Sequence, residues 1–302
     1  MTATVEDWAR DYVLATRLEH KFDPPPVPTD WSASPQPERI AGPGRPAGLE
    51  VVAKSPRSLR PVEMRDPRKR ARMLHAMAHH ELQAAELFAW AILAFADAPQ
   101  DFRAGLLRLC QDEIRHARAY VACIEALGSR FGEFPVRDWF WQRVSQCDSA
   151  LRFVAMVGLG LEGGNLDHAA RCARDFEAVG DTRAAKVHRM VEREEIAHVR
   201  FAVDWFRRFT GGLDFDRWCA ELVTPLTPTM MRGKALNRAA RAEAGMDEAF
   251  LERLAAYGER DDSTAVACVR REPRRGARAD RCRLPALVAH ARRVARAGER
   301  SA

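Results

Sequence analysis

Two phrases lying 82 residues apart, Asp112-Glu113-Ile114-Arg115-His116 and Glu194-Glu195-Ile196-Ala197-His198, share one order of residue types: acid, Glu, two spacers, His. A further Glu precedes each at nearly the same distance, Glu81 by 32 positions before Glu113 and Glu162 by 33 before Glu195. Residues three apart on a helix project from one face, so Glu113 with His116, and Glu195 with His198, can approach one cation side by side. Four carboxylates and two imidazoles in two matching halves make the ligand set of a di-iron or di-manganese carboxylate centre inside a four-helix bundle, the carboxylates bridging and each His completing one coordination sphere. A set rich in carboxylate with some imidazole suits iron or manganese better than a thiolate-bound metal, so two iron ions are the first expectation and manganese the second.

The neighbours of these six residues carry expectations of their own. Metal-bound His donates its other ring N–H to a carboxylate that fixes its tautomer, and Asp112 and Glu194 are placed to do this across the bundle, each for the His of the opposite half. Arg115, between Glu113 and His116, is read either as a cation balancing the buried carboxylates or as a surface residue. Tyr120, one turn beyond His116, is a candidate for radical or hydrogen-bond chemistry, with core packing the plainer reading. Glu86 competes with Glu81, but its spacing to Glu113 would be 27 against 33 in the second half, and Asp167 follows Glu162 as Glu86 follows Glu81. With six ligands already in hand, His75, His79, His80, His168 and His188 are read as surface or hydrogen-bonded residues. Trp90, Trp139, Trp141 and Trp205 are read as packing.

Positioning such a set requires four long helices. Asp66-Pro67 reads as an N-cap followed by Pro at the first helical position, opening a helix to about residue 95 that carries Glu81. After Asp97-Ala98-Pro99 a second helix spans about 100–127, ended by Gly128 and carrying Glu113 and His116. Ser149 opens a third, to about 179, with Glu162; Gly180-Asp181 then caps a fourth, with Glu195 and His198, that stops near 209 before Gly211-Gly212. Short links make each pair an antiparallel hairpin. The roughly 20 residues between the pairs reach at most about 70 Å, enough to cross the bundle, and their aromatic run Phe131 to Trp141 is suited to packing on it. The expected fold is all-α, a four-helix bundle with a long crossover of the ferritin-like type.

Four regions follow: a short amphipathic helix (4–20) and a Pro-rich arm, together 1–64, with Leu49, Val51, Val52 and Leu59 favouring an arm draped over the bundle; the bundle, 65–212; packed C-terminal helices near 232–244 and 247–258 within 213–262; and an Arg-rich tail, 263–302, with at most a short helix near 285–297. The chain has 302 residues, 47% of them hydrophobic, and a net charge of +6. The tail alone holds eleven Arg against Glu272, Asp280 and Glu299, or +8, so the rest sums to about −2 and offers no electrostatic footprint for nucleic acid. Seven Cys, odd in number and without a Cys-x-x-Cys spacing, read as reduced thiols. With neither a signal-like start nor an 18-residue apolar run, the expectation is a cytoplasmic protein without membrane contact.

The phrases His-Glu-Leu-Gln-Ala-Ala-Glu-Leu at 80–87, Asp-Glu-Ile-Arg-His at 112–116, Leu-Glu-Gly-Gly-Asn-Leu-Asp at 161–167 and Glu-Glu-Ile-Ala-His-Val at 194–199 resemble the ferritin-like superfamily. They resemble more closely a bacterial family within it catalogued as a domain of unknown function, over about residues 65–255. The segment Leu-Asn-Arg-Ala-Ala-Arg-Ala-Glu-Ala-Gly at 236–245 is similar to that family's C-terminal signature. The acid-Glu-x-Arg-His phrase also resembles bacterial di-iron mono-oxygenases and the small subunit of ribonucleotide reductase; the second copy departs from it at Ala197. The resemblance implies the fold and the metal site, and no substrate.

The leading expectation is therefore an O₂-activating di-iron oxidoreductase, a hydroxylase or oxidase acting on a small-molecule substrate with an electron donor that the sequence does not identify. The alternatives are an iron-handling ferroxidase and a non-catalytic, metal-stabilised interaction protein.

Overall fold

Side chains that accept a backbone N–H start most of the helices, and they are the Asp, Asn, Ser and Thr residues that favour this position. The computed structural model describes residues 3–54 and 61–258. In chain order its helices are α1 (Val5–Leu14), α2 (Leu18–Phe22), α3 (Pro67–Ala94), α4 (Gln100–Ala126), α5 (Trp141–Val144), α6 (Ala150–Phe153), α7 (Gly163–Ala178), α8 (Thr182–Thr210), α9 (Phe215–Glu221), α10 (Arg238–Glu243) and α11 (Glu248–Ala256). Thr4, Asp66, Ser149, Asp181, Asp214, Asn237 and Asp247 supply the caps. Gly211, at φ 84°, closes α8 in the left-handed region where a Cβ would be strained. Among the described residues there is no strand, only a bridge between Val51 and Val136.

The fold is an all-α bundle. α3 packs on α4 and α7 on α8, and the two hairpins meet chiefly through α4 and α8. The third long helix is not uniform. Between α6 and α7 the chain winds as a π-helix over Val154–Glu162, ending on the residue singled out as a ligand. Wider i→i+5 winding is rare and recurs at functional sites. This stretch also runs close against α8, since a Cβ on Gly158 would come within 2.3 Å of the Ala202 Cβ. No described helix is long and apolar enough to cross a membrane.

The N-terminal arm is fastened to the bundle by charge. Lys21, fully buried, donates to the carbonyls of Tyr12 and Val13 and pairs with Glu86 of α3 at 2.7 Å. Arg45 reaches the same carboxylate at 2.5 Å and Asp138 of the crossover at 3.0 Å. Lys21 thus satisfies the orphan carbonyls at the end of α1. That cap breaks the single helix expected over 4–20 into α1 and α2. Leu49 is buried, Val52 N–H donates to the Val136 carbonyl, and Val51 stays 41% exposed.

A second expectation also changes. The helix expected over 232–244 begins only at Arg238, because buried Asp167 of α7 accepts the N–H groups of Gly233 and Asn237 and holds 233–237 in an irregular path. Arg241 of α10 pairs with the same carboxylate at 2.8 Å. The tail at 263–302, its short helix near 285–297, and Leu59 lie outside the described residues.

Candidate metal centre

α3, α4, the π-helical stretch and α8 each turn one acidic residue toward the bundle axis, and the structure brings all six sequence-derived candidates together. Glu113, His116, Glu195 and His198 have no exposed surface, and Glu81 and Glu162 are 4% and 5% exposed. Two overlapping groups form, Glu81, Glu113, His116 and Glu195 in one and Glu113, Glu162, Glu195 and His198 in the other, each with one donor atom per residue lying within 4.8 Å of the others. Glu113 and Glu195 belong to both. Glu81 with His116, and Glu162 with His198, are the residues peculiar to each.

The donor atoms are oriented inward. Nδ1 of His198 lies 2.8 Å from Glu113 Oε1 and 3.0 Å from Glu195 Oε2; Nδ1 of His116 lies 3.4 Å from Glu113 Oε2 and 4.0 Å from Glu81 Oε2. Donor atoms bound at about 2.1 Å and at right angles to one another sit about 3 Å apart, so these separations suit ligands around a shared cation. Both oxygens of Glu113, Oε2 of Glu195 and Nδ1 of both His are buried and make no well-directed hydrogen bond. Buried polar atoms without partners are costly, and five of them converging on one point fit the removal of that cost by bound cations.

The far side of each ring is occupied. Nε2 of His116 donates to Glu194 Oε2 at 2.7 Å, and Nε2 of His198 to Asp112 Oδ2 at 3.3 Å, each across the two halves. This leaves Nδ1 of each ring to face the carboxylates. Arg115 is half-exposed and bridges the two acids, 2.6 Å from Asp112 and 2.5 Å from Glu194, so its charge balances them rather than the buried Glu residues. Burial disfavours ionisation of Asp112, but hydrogen bonds from His198 and Arg115 outweigh it and lower its carboxyl pKa.

Without cations the cluster is electrostatically divided. Burial, reinforced by Glu113, raises Glu81 well above the usual carboxylate range, and burial with Glu195 and Glu113 does the same to Glu162. Burial works the same way on Glu113, yet the adjacent His116 and His198 hold it well below that range. In return Glu113 keeps His116 above its ordinary value against desolvation. Four carboxylates crowded in a dry interior cannot all ionise unaided, and two divalent cations would neutralise all four.

Several residues fall elsewhere. The hydroxyl of Tyr120 lies 2.9 Å from His188 Nδ1, so its recorded partner is that buried imidazole and none of the six. Glu86 is engaged by Lys21, Arg45 and the Trp141 indole N–H. His79 pairs with Asp138 at 3.1 Å, and His75 accepts the Gly132 N–H. Trp90 and Trp141 are core residues. Trp139 instead joins the wall of a cavity of about 320 Å³, bounded also by Phe140, His80 and His168, that reaches Glu81 and Glu162. Asn165, not singled out from the sequence, donates to Glu195 Oε1 at 3.0 Å from one turn beyond Glu162. Its i,i+3 spacing from Glu162 was the available signal; the first half has Ala84 at the matching place.

Comparison with curated proteins and with solved structures finds no significant match in either. A family model does match residues 3–252, more than four-fifths of the chain. The chain therefore belongs to the DUF455 family, described as a protein of unknown function.

Proposed function

We propose that the cluster holds two iron ions and that the protein is a ferritin-like, O₂-activating oxidoreductase, a hydroxylase or oxidase on a small-molecule substrate. The observation carrying this reading is the sharing of Glu113 and Glu195 between two four-residue groups, each completed by its own Glu and its own His. Oxygen-rich sites with one imidazole per cation suit iron and manganese, and manganese remains the alternative metal. A bound ferrous pair would supply the reducing chemistry for O₂; a hydroxylation would place one oxygen atom in the substrate and release the other as water, with two electrons and two protons from an external donor.

The chain's own residues divide the remaining work. Asp112 and Glu194 orient the imidazoles, Arg115 ties those acids together, and Asn165 fixes the rotamer of Glu195. The bundle core keeps water from four of the six side chains, while Glu81 and Glu162 border the cavity through which a substrate enters.

The test is anaerobic loading with ferrous iron, metal analysis, and measurement of O₂ uptake. Two irons per chain with iron-dependent uptake are expected. Glu113→Ala and Glu195→Ala should each abolish stoichiometric binding, whereas Glu81→Ala and Glu162→Ala should each leave about one iron per chain. Full retention of both irons by Glu113→Ala would refute the assignment.

A further inference from the structure

The six candidate ligands are not equally accessible. The α4–α8 side of the cluster is closed by the Asp112–Arg115–Glu194 bridge over the two imidazoles. On the opposite side, between α3 and the π-helix and α7, lies the 320 Å³ cavity, and of the six ligands only Glu81 and Glu162 line it. A molecule that reaches the centre from this cavity therefore meets the two carboxylates peculiar to each group, and neither a His nor a shared Glu.

The character of the wall decides which molecules fit. Met77, Ala84, Leu161 and Met230 present aliphatic and thioether surface, and the crossover adds the rings of Trp139 and Phe140, set edge to face with centroids 5.6 Å apart. Such a lining favours a flat apolar body, which gains ring–ring and sulfur–ring contacts as well as burial. Polar atoms are few: the His80 and His168 imidazoles, the Asn165 amide and, bordering it from α7, Arg171. The guanidinium of Arg171 is half-exposed and already paired with Asp175 at 2.8 Å.

At the inner end the charge also cancels. Four carboxylates and two divalent cations would sum to zero, and the one guanidinium on the wall, that of Arg171, is already paired with Asp175. An ion brought into such a space loses its water and finds no opposite charge, which is expensive. We infer that the cavity between α3 and α7 is the substrate site, and that it takes an uncharged, ring-containing, largely apolar molecule bearing one hydrogen-bonding group within reach of Asn165, His80 or His168. The claims that this is a substrate and that the inner end is neutral rest on the di-iron oxidoreductase reading; the claim that the cavity takes an apolar ring does not.

Binding alone tests it, with no turnover needed. Equilibrium dialysis of 2-naphthol, 2-naphthoate and 2-naphthylmethylamine against the full chain, iron-free and iron-loaded, compares one ring system in neutral, anionic and cationic forms. Naphthol should bind at one per chain in both metal states, and at least tenfold tighter than either ion to the iron-loaded protein. Ala84→Phe, which places a ring inside the cavity, should weaken naphthol at least tenfold while leaving iron stoichiometry at two. Met230→Trp, altering a half-exposed residue at the rim, should shift naphthol affinity at least threefold without touching the core, and carries the test if Ala84→Phe does not fold. Naphthoate or the amine binding the iron-loaded protein as tightly as naphthol, naphthol failing to bind, or affinity indifferent to both variants would each overturn the inference. A protein that binds naphthol but takes up no iron would sink the metal reading and leave the cavity's preference for an apolar ring intact.

Discussion

Replacing Glu194 with Gln tests how far the outer acids set the affinity of the centre. Glu194 Oε2 is 2.7 Å from His116 Nε2, a charge-assisted hydrogen bond near ideal length, and 2.5 Å from Arg115. The neutral amide removes the charge that raises the basicity of His116 and can present its NH₂ to the ring, favouring the tautomer that protonates Nδ1. Loss of such an outer partner weakens metal binding about 10- to 100-fold, or about 1.4–2.7 kcal/mol. The lost contact to Arg115 adds little, because exposed pairs contribute about 0–1 kcal/mol. Asp112→Asn should cost less, about tenfold or below, because its bond to His198 is longer at 3.3 Å. Anaerobic competition of each variant against a chromophoric ferrous chelator measures the affinities directly. Glu194→Gln binding within twofold of the wild type, or Asp112→Asn proving the weaker binder, would refute the reasoning that these acids act through the rings.

Further outcomes concern the scaffold. Glu86→Ala leaves Lys21 and Arg45 buried beside each other, so denaturant unfolding should show a loss of about 3–5 kcal/mol, with iron stoichiometry unchanged; a change in stoichiometry would return Glu86 to the ligand set. Asp167→Ala removes the acceptor for Gly233, Asn237 and Arg241, and hydrogen exchange should accelerate across 233–246 while α4 keeps its protection. At Asp138, burial opposes ionisation but hydrogen bonds from His79 and Arg45 lower the carboxyl from 3.8 to about 2. A depressed folded-state pKa gives stability that is present above the unfolded value and lost as pH falls through the folded one, here between about pH 4 and pH 2, amounting to about 2 kcal/mol. Asp138→Asn should flatten that part of the stability–pH curve, and an unchanged curve would reject the assignment.

Local chemistry made the centre legible in the sequence. The i,i+3 spacing of Glu113 with His116 and of Glu195 with His198 depends only on helical geometry, and the near-equal intervals back to Glu81 and Glu162 depend only on two hairpins of similar length. Capping signals are equally local, which is why α3, α4 and α8 begin and end within a residue or so of Asp66-Pro67, Gly128, Asp181 and Gly211. The cross-bundle reach of Asp112 and Glu194 was readable because the repeat places each acid beside the other half's His.

What remained hidden depends on contacts between residues far apart in the chain. Nothing in a run of Val, Met, Leu and Gly announces that Val154–Glu162 winds as a π-helix, since that register is settled by packing against α8. Lys21 reads as a surface residue until Glu86, 65 positions away, draws it into the core and splits the first helix. Asp167 likewise reads as an ordinary helical acid until the segment near Gly233 folds back on it. The amino-acid order alone determined which side chains face the bundle axis, because helical periodicity is short-ranged. Only tertiary packing decided which side of that axis is sealed by ion pairs and which opens into a cavity, because a cavity is the space left where α3, α7 and the crossover do not touch.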